Sequence, residues 1–380
     1  MAQLSIVVLG GSFLQTDFVE TALDAGMNVF VLDGNKNCYL SSHEGIEFHP
    51  INFSQKSVVR EFYLNHGADL LYAPCNEVGN LISAQLADEL GFRYNAEEVV
   101  KITLNKSLQR EKAAACQELY SPKSLVFKGD LDVLEKELSF PMVVKPTSSS
   151  AGRGITGVNN REELEKALVV AESYLGNEGI IIVEEYIGGD QISVETVSVA
   201  GTHHIVGITQ EIVGPAPLFI ERNHYMDQGV HNKFVPLVEA AVKELLSKIG
   251  IQYGPCHIEM KLDGDKVALI EVASRAGGLR DRLMKLAGYT DYNKIILDSF
   301  LKGKIDPADL HSPSKHGLVN ILTKVEDLHS VRLGKRDETL DSLYLYDKGP
   351  EYQPQNIIDA YGYAYFTGHN SLFDYSLEHY

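Results

Sequence analysis

The sequence has few of the features that mark secreted or membrane proteins. It contains only four cysteines, Cys38, Cys75, Cys116 and Cys256, which lie far apart and form no CxxC pair. That spacing argues against a cysteine zinc site or a redox motif. No apolar run approaches the ~20 residues that span a bilayer. The first residues, MAQLSIVVLGG, lack a basic region and are typical of a first strand rather than a signal peptide. We therefore expect reduced thiols and a cytoplasmic location.

Positive charge is also scarce. The 380 residues include 34 Lys and Arg against 52 Asp and Glu, which gives a formal net charge of -18. An anionic surface repels phosphate backbones, so the composition argues against nucleic-acid binding. Any anionic ligand must then be attracted by local positive charge. The length predicts two or three domains, and 44% hydrophobic residues is ordinary for a soluble globular protein.

The N-terminal part lacks a complete dinucleotide fingerprint. Strand patterns (LSIVVLGG, MNVFVLD, ADLLYAPC) alternate with helix patterns up to about residue 100, which predicts a parallel sheet with right-handed crossovers. Gly10 and Gly11 open a helix, and Asp33 follows the second strand. However, GGSFLQ has neither the third glycine nor the spacing of G-x-G-x-x-G. We favour a Rossmann-like accessory domain without an NAD site.

The rest of the chain changes from α/β to α+β patterns. A helix (KSLQREKAAACQEL) precedes the strands SPKSLVF, FPMVVKP and GIIIVEEY, and Asn160 is placed to cap the helix REELEKALVVAESYL. A larger, mainly antiparallel part with two helices follows. Short strand patterns (GLVNILTKV, DSLYLYD, AYGYAYFTG) fill the remainder. The predicted fold class is therefore α/β and α+β.

A lysine and a small-residue loop form the first candidate for chemistry. Lys145 ends an apolar strand and precedes TSSSAGRGI, whose backbone N–H groups could turn toward a phosphate as an anion nest. This loop is not a Walker A motif, and a flexible linker is the alternative. The loop residues predicted to bind phosphate are Ser148, Ser149, Ser150, Gly152 and Gly154.

A predicted hairpin, CHIEMKLDGDKVALIEVASRAGG, carries the second candidate. Alternation places Glu259 on the polar face of its first strand, and Glu271 lies in a run otherwise suited to burial, where a carboxylate needs a partner or a cation. A two-residue Asp263-Gly264 turn would put the glutamates on opposite faces. A three-residue turn ending at Asp265 would place Glu259 diagonal to Glu271 on one face. The second register predicts a shared Mg²⁺ (or Mn²⁺) site, and a hairpin with one exposed salt-bridged glutamate is the alternative.

Arg275, Gly277 and Gly278 follow this hairpin directly. A fixed guanidinium and open backbone beside a metal–phosphate site suit a transferring phosphoryl group or an oxyanion. We therefore predict catalytic roles for all three. A surface arginine in a loop is the alternative.

These stretches, in this order, resemble the ATP-grasp superfamily over roughly residues 1–300. The resemblance implies a Rossmann-like pre-ATP-grasp domain (1–101), a small lobe (102–187), a large lobe (188–304) and a C-terminal lobe that completes it (305–380). It implies ATP and two metal ions held between the lobes. The residues that match the family's ATP-binding and metal-binding positions are Lys106, Lys145, Glu184, Glu185, Ile187, Glu259 and Glu271, with Arg275 near an acyl phosphate.

Two positions depart from the family's pattern. Gln191 stands where a ribose-binding glutamate is usual, and Ala273 stands where an asparagine commonly helps to bind a metal. The resemblance therefore implies altered ribose contacts and one metal with fewer protein ligands.

Within the superfamily, EVASRAGG and GLRDRL most resemble the L-amino-acid ligase branch. That likeness implies a carboxylate–amine ligase acting on small molecules, and a homodimer. Glu221 and His224 are candidates for holding a substrate amino group, with a solvated loop as the alternative. A purine-pathway or carboxylase-type enzyme and a catalytically silent nucleotide-binding regulator remain open.

Overall fold

A computed structural model of the chain describes most of its residues. The described residues are 3–147, 149, 152–175, 179–289, 291–324, 339–346, 348, 352, 354 and 359–368. Ser148 and Ser150, two of the predicted phosphate-binding residues, lie outside them. Within these ranges no helix combines the length and the apolar composition needed to cross a membrane.

The described residues form ten α-helices and sixteen strands. The helices are α1 Thr16–Asp24, α2 Lys56–His66, α3 Glu77–Leu90, α4 Glu97–Thr103, α5 Lys106–Ala114, α6 Leu131–Glu137, α7 Arg161–Glu172, α8 Gln228–Ile249, α9 Arg280–Leu286 and α10 Tyr292–Leu301. The strands are β1 Ser5–Leu9, β2 Asn28–Leu32, β3 Ile46–His49, β4 Leu70–Tyr72, β5 Ser124–Val126, β6 Met142–Pro146, β7 Thr156–Val158, β8 Ile181–Glu185, β9 Asp190–Val199, β10 Thr202–Val213, β11 Glu221–Met226, β12 Gly254–Asp263, β13 Lys266–Ala273, β14 His316–Leu322, β15 Thr339–Leu345 and β16 Gly362–Gly368.

The first sheet is parallel and has the strand order β3-β2-β1-β4, as the alternating pattern predicted. Its central strand β1 and its edge strand β4 are buried at every residue. Side chains of this sheet join a hydrophobic core that also contains residues of α9 and α10. The rings of Tyr72 and Phe300, for example, lie 5.3 Å apart. The N-terminal part is therefore packed against the part of the chain that carries the hairpin.

The second sheet is antiparallel, with the order β5-β8-β6-β7, and it has its own core. The predicted cap of α7 is confirmed, because the Asn160 side chain accepts a hydrogen bond from the Glu163 N–H. The apolar stripe of α7 (Leu164, Ala167, Leu168) is buried against this sheet. A separate core makes this small lobe a unit of its own.

The third sheet has eight strands in the order β13-β12-β9-β10-β11-β14-β16-β15. The strands predicted from GLVNILTKV, DSLYLYD and AYGYAYFTG all form, and they extend this sheet rather than build a separate one. Helix α8 covers one side with an apolar stripe and ends at Gly250, whose φ of 94° suits a glycine. The mixed α/β and α+β class is confirmed.

The hairpin register differs from both predicted registers, which are wrong. Asp263 pairs with Lys266 across a Gly264-Asp265 turn, so Met260 faces Leu269. The register then shifts by one residue, and Glu259 lies directly opposite Glu271. The extra residue, Ile270, is a β-bulge, and a bulge moves the following side chains to the other face of a strand. The predicted outcome, both glutamates on one face, is nevertheless observed.

Candidate active site

Helix α5 holds the bulge that positions Glu271. The side-chain amide of Gln109 binds both main-chain groups of Val272, accepting from its N–H at 3.0 Å and donating to its carbonyl at 3.1 Å. Arg110 Nη2 donates to the Ile270 carbonyl at 2.8 Å. These bonds satisfy main-chain groups at the bulge, where the strand pairing is interrupted. They also attach β13 to helix α5.

Lys106, the first residue of α5, supplies the partner that a carboxylate at position 271 needs. Its Nζ lies 2.9 Å from Glu271 Oε2 and donates to the Ser149 carbonyl at 2.6 Å. The side chain is 3% exposed. Lys106 thus joins the glutamate hairpin to the small-residue loop, two stretches that are distant in the sequence.

Lys145 and Glu184 form a second buried ion pair at the small lobe. Lys145 Nζ lies 2.6 Å from Glu184 Oε2, and Arg110 contacts both oxygens of the same carboxylate, at 2.6 and 3.0 Å. Burial opposes the charged carboxylate, but Arg110 and Lys145 outweigh it and hold the pKa of Glu184 well below its usual range. Burial lowers the pKa of Lys145. Glu184 therefore orients two cations.

A cavity lies between the small lobe and the hairpin. Apolar side chains supply part of its lining, among them Val143, Ile155, Phe219 and Leu269. Its charged lining residues are Arg110, Lys145, Glu184, Glu185, Glu221, Glu259, Lys261 and Glu271. The cavity thus offers an apolar surface for a base and cations for phosphates.

The predicted hinge lies at this cavity. The Glu185 N–H donates to the Lys123 carbonyl at 2.9 Å, and the Tyr186 N–H donates to the Pro141 carbonyl at 3.3 Å. Ile187 lines the cavity just beyond this anchored stretch. Gln191 also lines it, and its Nε2 donates to Glu211 at 2.9 Å. The buried Glu211 carboxylate thus fixes the side chain of Gln191, which stands where the family usually has a ribose-binding glutamate.

Two residues of the predicted phosphate loop adopt left-handed backbone. Gly152 and Gly154 have φ values of 72° and 73°. Residues other than glycine rarely adopt such positive φ values. Gly152 lines the cavity, and the Ser149 hydroxyl donates to the Arg153 carbonyl at 2.5 Å. The phosphate-binding role of this loop remains a prediction.

A buried histidine supports Glu259. His257 lies two residues earlier on β12, so the two side chains share a face. Its Nδ1 is 2.5 Å from Glu195 Oε1 and its Nε2 is 3.3 Å from Glu259 Oε1. Burial lowers the pKa of the imidazole, but the two carboxylates outweigh this and raise it to about 10. The protonated ring can therefore donate to both glutamates, which orients Glu259.

Gly277 packs against the pair formed by His257 and Glu195. Its N–H donates to Glu195 Oε2 at 3.2 Å, so it is not available to an oxyanion. A Cβ at this position would lie 2.4 Å from His257 Nδ1, whereas a Cβ at Gly278 would meet nothing closer than 3.8 Å. We therefore assign Gly277 a packing role and correct the predicted one. Gly278 lines the neighbouring cavity.

We expect Gly277→Ala to destabilise the fold and Gly278→Ala to be tolerated. The first Cβ must displace the His257–Glu195 pair, and such overpacking typically costs about 1–3 kcal/mol. Thermal unfolding of the two single variants measures the difference directly. Equal melting temperatures would contradict the close approach at Gly277.

A second cavity meets the first at three glutamates. Both cavities are lined by Glu221, Glu259 and Glu271. The second is also lined by Glu77, Arg153, His224, His257, Arg275, Gly278 and Arg280. The shared glutamates lie where a ligand in one cavity could react with a ligand in the other.

Arg275 belongs to this second cavity. Its Nη2 donates to Glu77 at 3.0 Å and its Nη1 donates to the Ala276 carbonyl at 3.0 Å. Burial opposes its charge, but Glu77 outweighs this and raises its pKa. Its Nε is buried and has no hydrogen-bond partner among the described residues. A buried donor without a partner requires an explanation, and a ligand of the cavity that Arg275 lines is one.

His224 has both ring nitrogens occupied. Arg280 donates from Nη1 to His224 Nδ1, since a guanidinium cannot accept. The other nitrogen, Nε2, must then carry the proton, and it lies 2.5 Å from Glu221 Oε2. Burial first, and then Glu259, raise the pKa of Glu221 to about 7. His224 therefore orients Glu221, and the candidate role of holding an amino group falls to Glu221 alone.

Several site residues were absent from the sequence-based predictions. Arg110 lies one helical turn after Lys106, a spacing that places both on one side of α5, and this signal could have found it. Glu195, Arg280 and Glu77 come from distant parts of the chain. Their contacts depend on how β9, α9 and α3 pack.

The fold and the site define a two-lobed protein with a nucleotide-type cavity between its lobes. Residues 138–281 match the family model for the ATP-grasp domain. This part of the chain is thus similar to the ATP-grasp domain, as the sequence resemblance predicted.

Known proteins with sequences similar to this chain are formate-dependent phosphoribosylglycinamide formyltransferases by name. A formate-dependent phosphoribosylglycinamide formyltransferase of Methanocaldococcus jannaschii is 32% identical over 201 residues, which cover 50% of this chain and 49% of that relative. The chain thus spans about half the length of this relative.

Several solved structures share the fold of this chain over nearly its whole length. The L-amino acid ligase from Bacillus licheniformis has a TM-score of 0.76 at 19% identity, covering 97% of this chain and 94% of that one. The ADP complex of N5-carboxyaminoimidazole synthetase from Staphylococcus aureus has a TM-score of 0.72 at 16% identity, covering 97% and 94%. At these identities the likeness shows the fold alone.

Proposed function

We propose that the chain is an ADP-forming carboxylate–amine ligase that activates a small carboxylate, such as an amino acid, as an acyl phosphate. The observation that carries this proposal is the meeting of two cavities at Glu221, Glu259 and Glu271. One cavity has the cations and apolar side chains suited to ATP. The other has a buried arginine donor suited to a carboxylate or an acyl phosphate.

We expect Lys145, which lines the first cavity, and Lys106, which pairs with the lining residue Glu271, to neutralise ATP phosphates. Both side chains are nearly buried, 3% and 10% exposed, so their charges are weakly screened. Each is held by a glutamate, which fixes its position before the nucleotide binds. Such preorganised cations lower the barrier to phosphoryl transfer because charge develops on the transferring oxygens.

The glutamates fit a hard divalent cation. Glu259 and Glu271 face each other on adjacent strands, and burial first, then the nearby Glu259, raises the pKa of Glu221. Three neighbouring carboxylates that offer only oxygen ligands favour Mg²⁺ or Mn²⁺. The ion would neutralise phosphate charge during transfer. Ala273 offers no side-chain ligand, so we expect water to complete the shell.

Arg275 lines the second cavity, and we expect its guanidinium to bind the carboxylate that attacks the γ-phosphoryl group and later the acyl phosphate. Glu221 then lies where it could accept a hydrogen bond from an attacking amine. The amine displaces phosphate at the carbonyl carbon, which forms the amide bond.

A purine-pathway reaction is the second candidate. The similarity to a formate-dependent phosphoribosylglycinamide formyltransferase favours it. Such a substrate carries a phosphate, and Arg153 at the second cavity is a cation that could contact one. The two candidates differ in the acid and the amine, and not in the phosphoryl-transfer step.

The experiment is a screen of ADP and phosphate release with Mg²⁺-ATP. Pairs of amino acids form one arm, and formate or bicarbonate with phosphoribosyl amines forms the other. Release that requires a pair of amino acids supports the first candidate, and release confined to the second arm supports the other. ATP binding without release in either arm would contradict a ligase and favour a nucleotide-binding regulator.

A further inference from the structure

A second group of possible metal ligands lies on the first sheet, apart from the two cavities. Glu47 and His49 lie two residues apart on the edge strand β3, so they share a face. His66 is the last residue of α2. One ligand atom from each of these three side chains lies within 4.8 Å of the other two.

His66 is oriented in the manner of a metal ligand. Its Nδ1 lies 2.8 Å from the Phe62 carbonyl. A carbonyl oxygen only accepts, so Nδ1 carries the proton, and the neutral ring leaves Nε2 with a lone pair. Metal-binding histidines almost always donate their second ring nitrogen in this way, which fixes the tautomer and the ring orientation.

Aromatic packing fixes both imidazoles. The His66 ring stacks on Phe62 with centroids 3.9 Å apart, and the His49 ring contacts Phe62 edge-on at 4.6 Å. The two imidazole centroids are 5.6 Å apart. Such packing limits rotamer freedom, so ion binding would cost less ordering entropy.

His49 has a nitrogen without a hydrogen bond. Its Nε2 is buried and has no hydrogen-bond partner among the described residues, although it lies 2.9 Å from Glu47 Oε1. The two atoms are thus close but poorly aligned for a hydrogen bond. A buried polar atom left in this state requires an explanation, and an ion is one.

We propose that Glu47, His49 and His66 bind a divalent transition-metal ion of the Zn²⁺ class. Two imidazoles and one carboxylate are a common zinc ligand set, with a fourth position left for water or another ligand. This set differs from the oxygen-only glutamates of the cavities, which suit Mg²⁺. A bound ion would join the edge strand β3 to the end of α2. The proposal does not depend on the proposed ligase activity.

The test is titration of the chelator-treated full chain with Zn²⁺, and with Co²⁺ as a spectroscopic probe, in the absence of nucleotide. We expect one site with the visible absorption of four-coordinate Co²⁺. Loss of one ligand in His66→Gln or Glu47→Gln should weaken binding about tenfold or more. The matched control is His43→Gln, which changes a half-buried histidine outside the cluster.

A second control separates this site from the active site. Glu211, Glu221 and His224 also bring ligand atoms together, so Glu221→Gln is titrated in parallel. We expect it to retain the Co²⁺ spectrum that His66→Gln loses. Binding that is absent in the unaltered chain, or equal in affinity and spectrum in the His66→Gln and Glu47→Gln variants, would overturn the proposal. Circular dichroism confirms that each variant is folded.

Discussion

Glu271→Gln is expected to reduce ATP-dependent turnover by about 1,000-fold, the scale seen when a group that stabilises transition-state charge is lost. Glutamine keeps the shape of the side chain but removes the charge that faces Glu259 and pairs with Lys106 at 2.9 Å. The substitution should weaken metal binding at the proposed site and leave Lys106 less well oriented. Steady-state ADP release under saturating substrates measures the effect.

The control for this variant is Glu239→Gln, which alters an exposed pair with Lys243 on α8. Exposed pairs contribute little, so its turnover should equal that of the unaltered chain. Turnover of Glu271→Gln within about tenfold of the unaltered chain, a barrier change of only ~1.4 kcal/mol, would contradict the assignment of Glu271 as a metal ligand.

Glu184→Gln is expected to lower the free energy of unfolding by about 3–5 kcal/mol, the usual cost of removing one partner from a buried ion pair. The Glu184 carboxylate neutralises Arg110 and Lys145, whose side chains are 7% and 10% exposed. The amide leaves two buried cations close together without a counter-charge. Urea denaturation measures the loss.

Glu185→Gln is the matched control, since it is the next residue on the same strand. Its carboxylate accepts a hydrogen bond from the Tyr120 hydroxyl at 2.8 Å, and the amide oxygen can still accept one. We expect a change within about 1 kcal/mol. Similar losses in both variants would show that Glu184 has no special role in holding the two cations.

Local pattern was enough to predict most elements and several site residues. The alternation in CHIEMKL correctly places Cys256, Ile258 and Met260 in the core and His257 on the polar face, since all three apolar side chains are fully buried. The apolar neighbours of Glu271 in the sequence correctly predicted a charged partner for it, which is Lys106. These inferences need only the period of a strand and the cost of burying a charge.

The hairpin register could not be predicted because a bulge leaves no periodic signal. Ile270 resembles any other apolar strand residue, and the bonds that stabilise the bulge come from Gln109 and Arg110 on α5. The role of Gly277 could not be predicted from the sequence either. Its sequence context suggests open backbone, whereas its N–H donates to Glu195, a residue of β9. Contacts between distant segments decided both cases.

The most direct test of the ligase proposal uses a carboxylate substrate labelled with ¹⁸O, supplied with its amine partner and Mg²⁺-ATP. If the carboxylate attacks the γ-phosphoryl group and the amine then displaces phosphate, one labelled oxygen must appear in the inorganic phosphate of each turnover, with ADP as the other product. Mass spectrometry of the phosphate measures this transfer. Turnover that releases unlabelled phosphate would contradict an acyl-phosphate mechanism at this site.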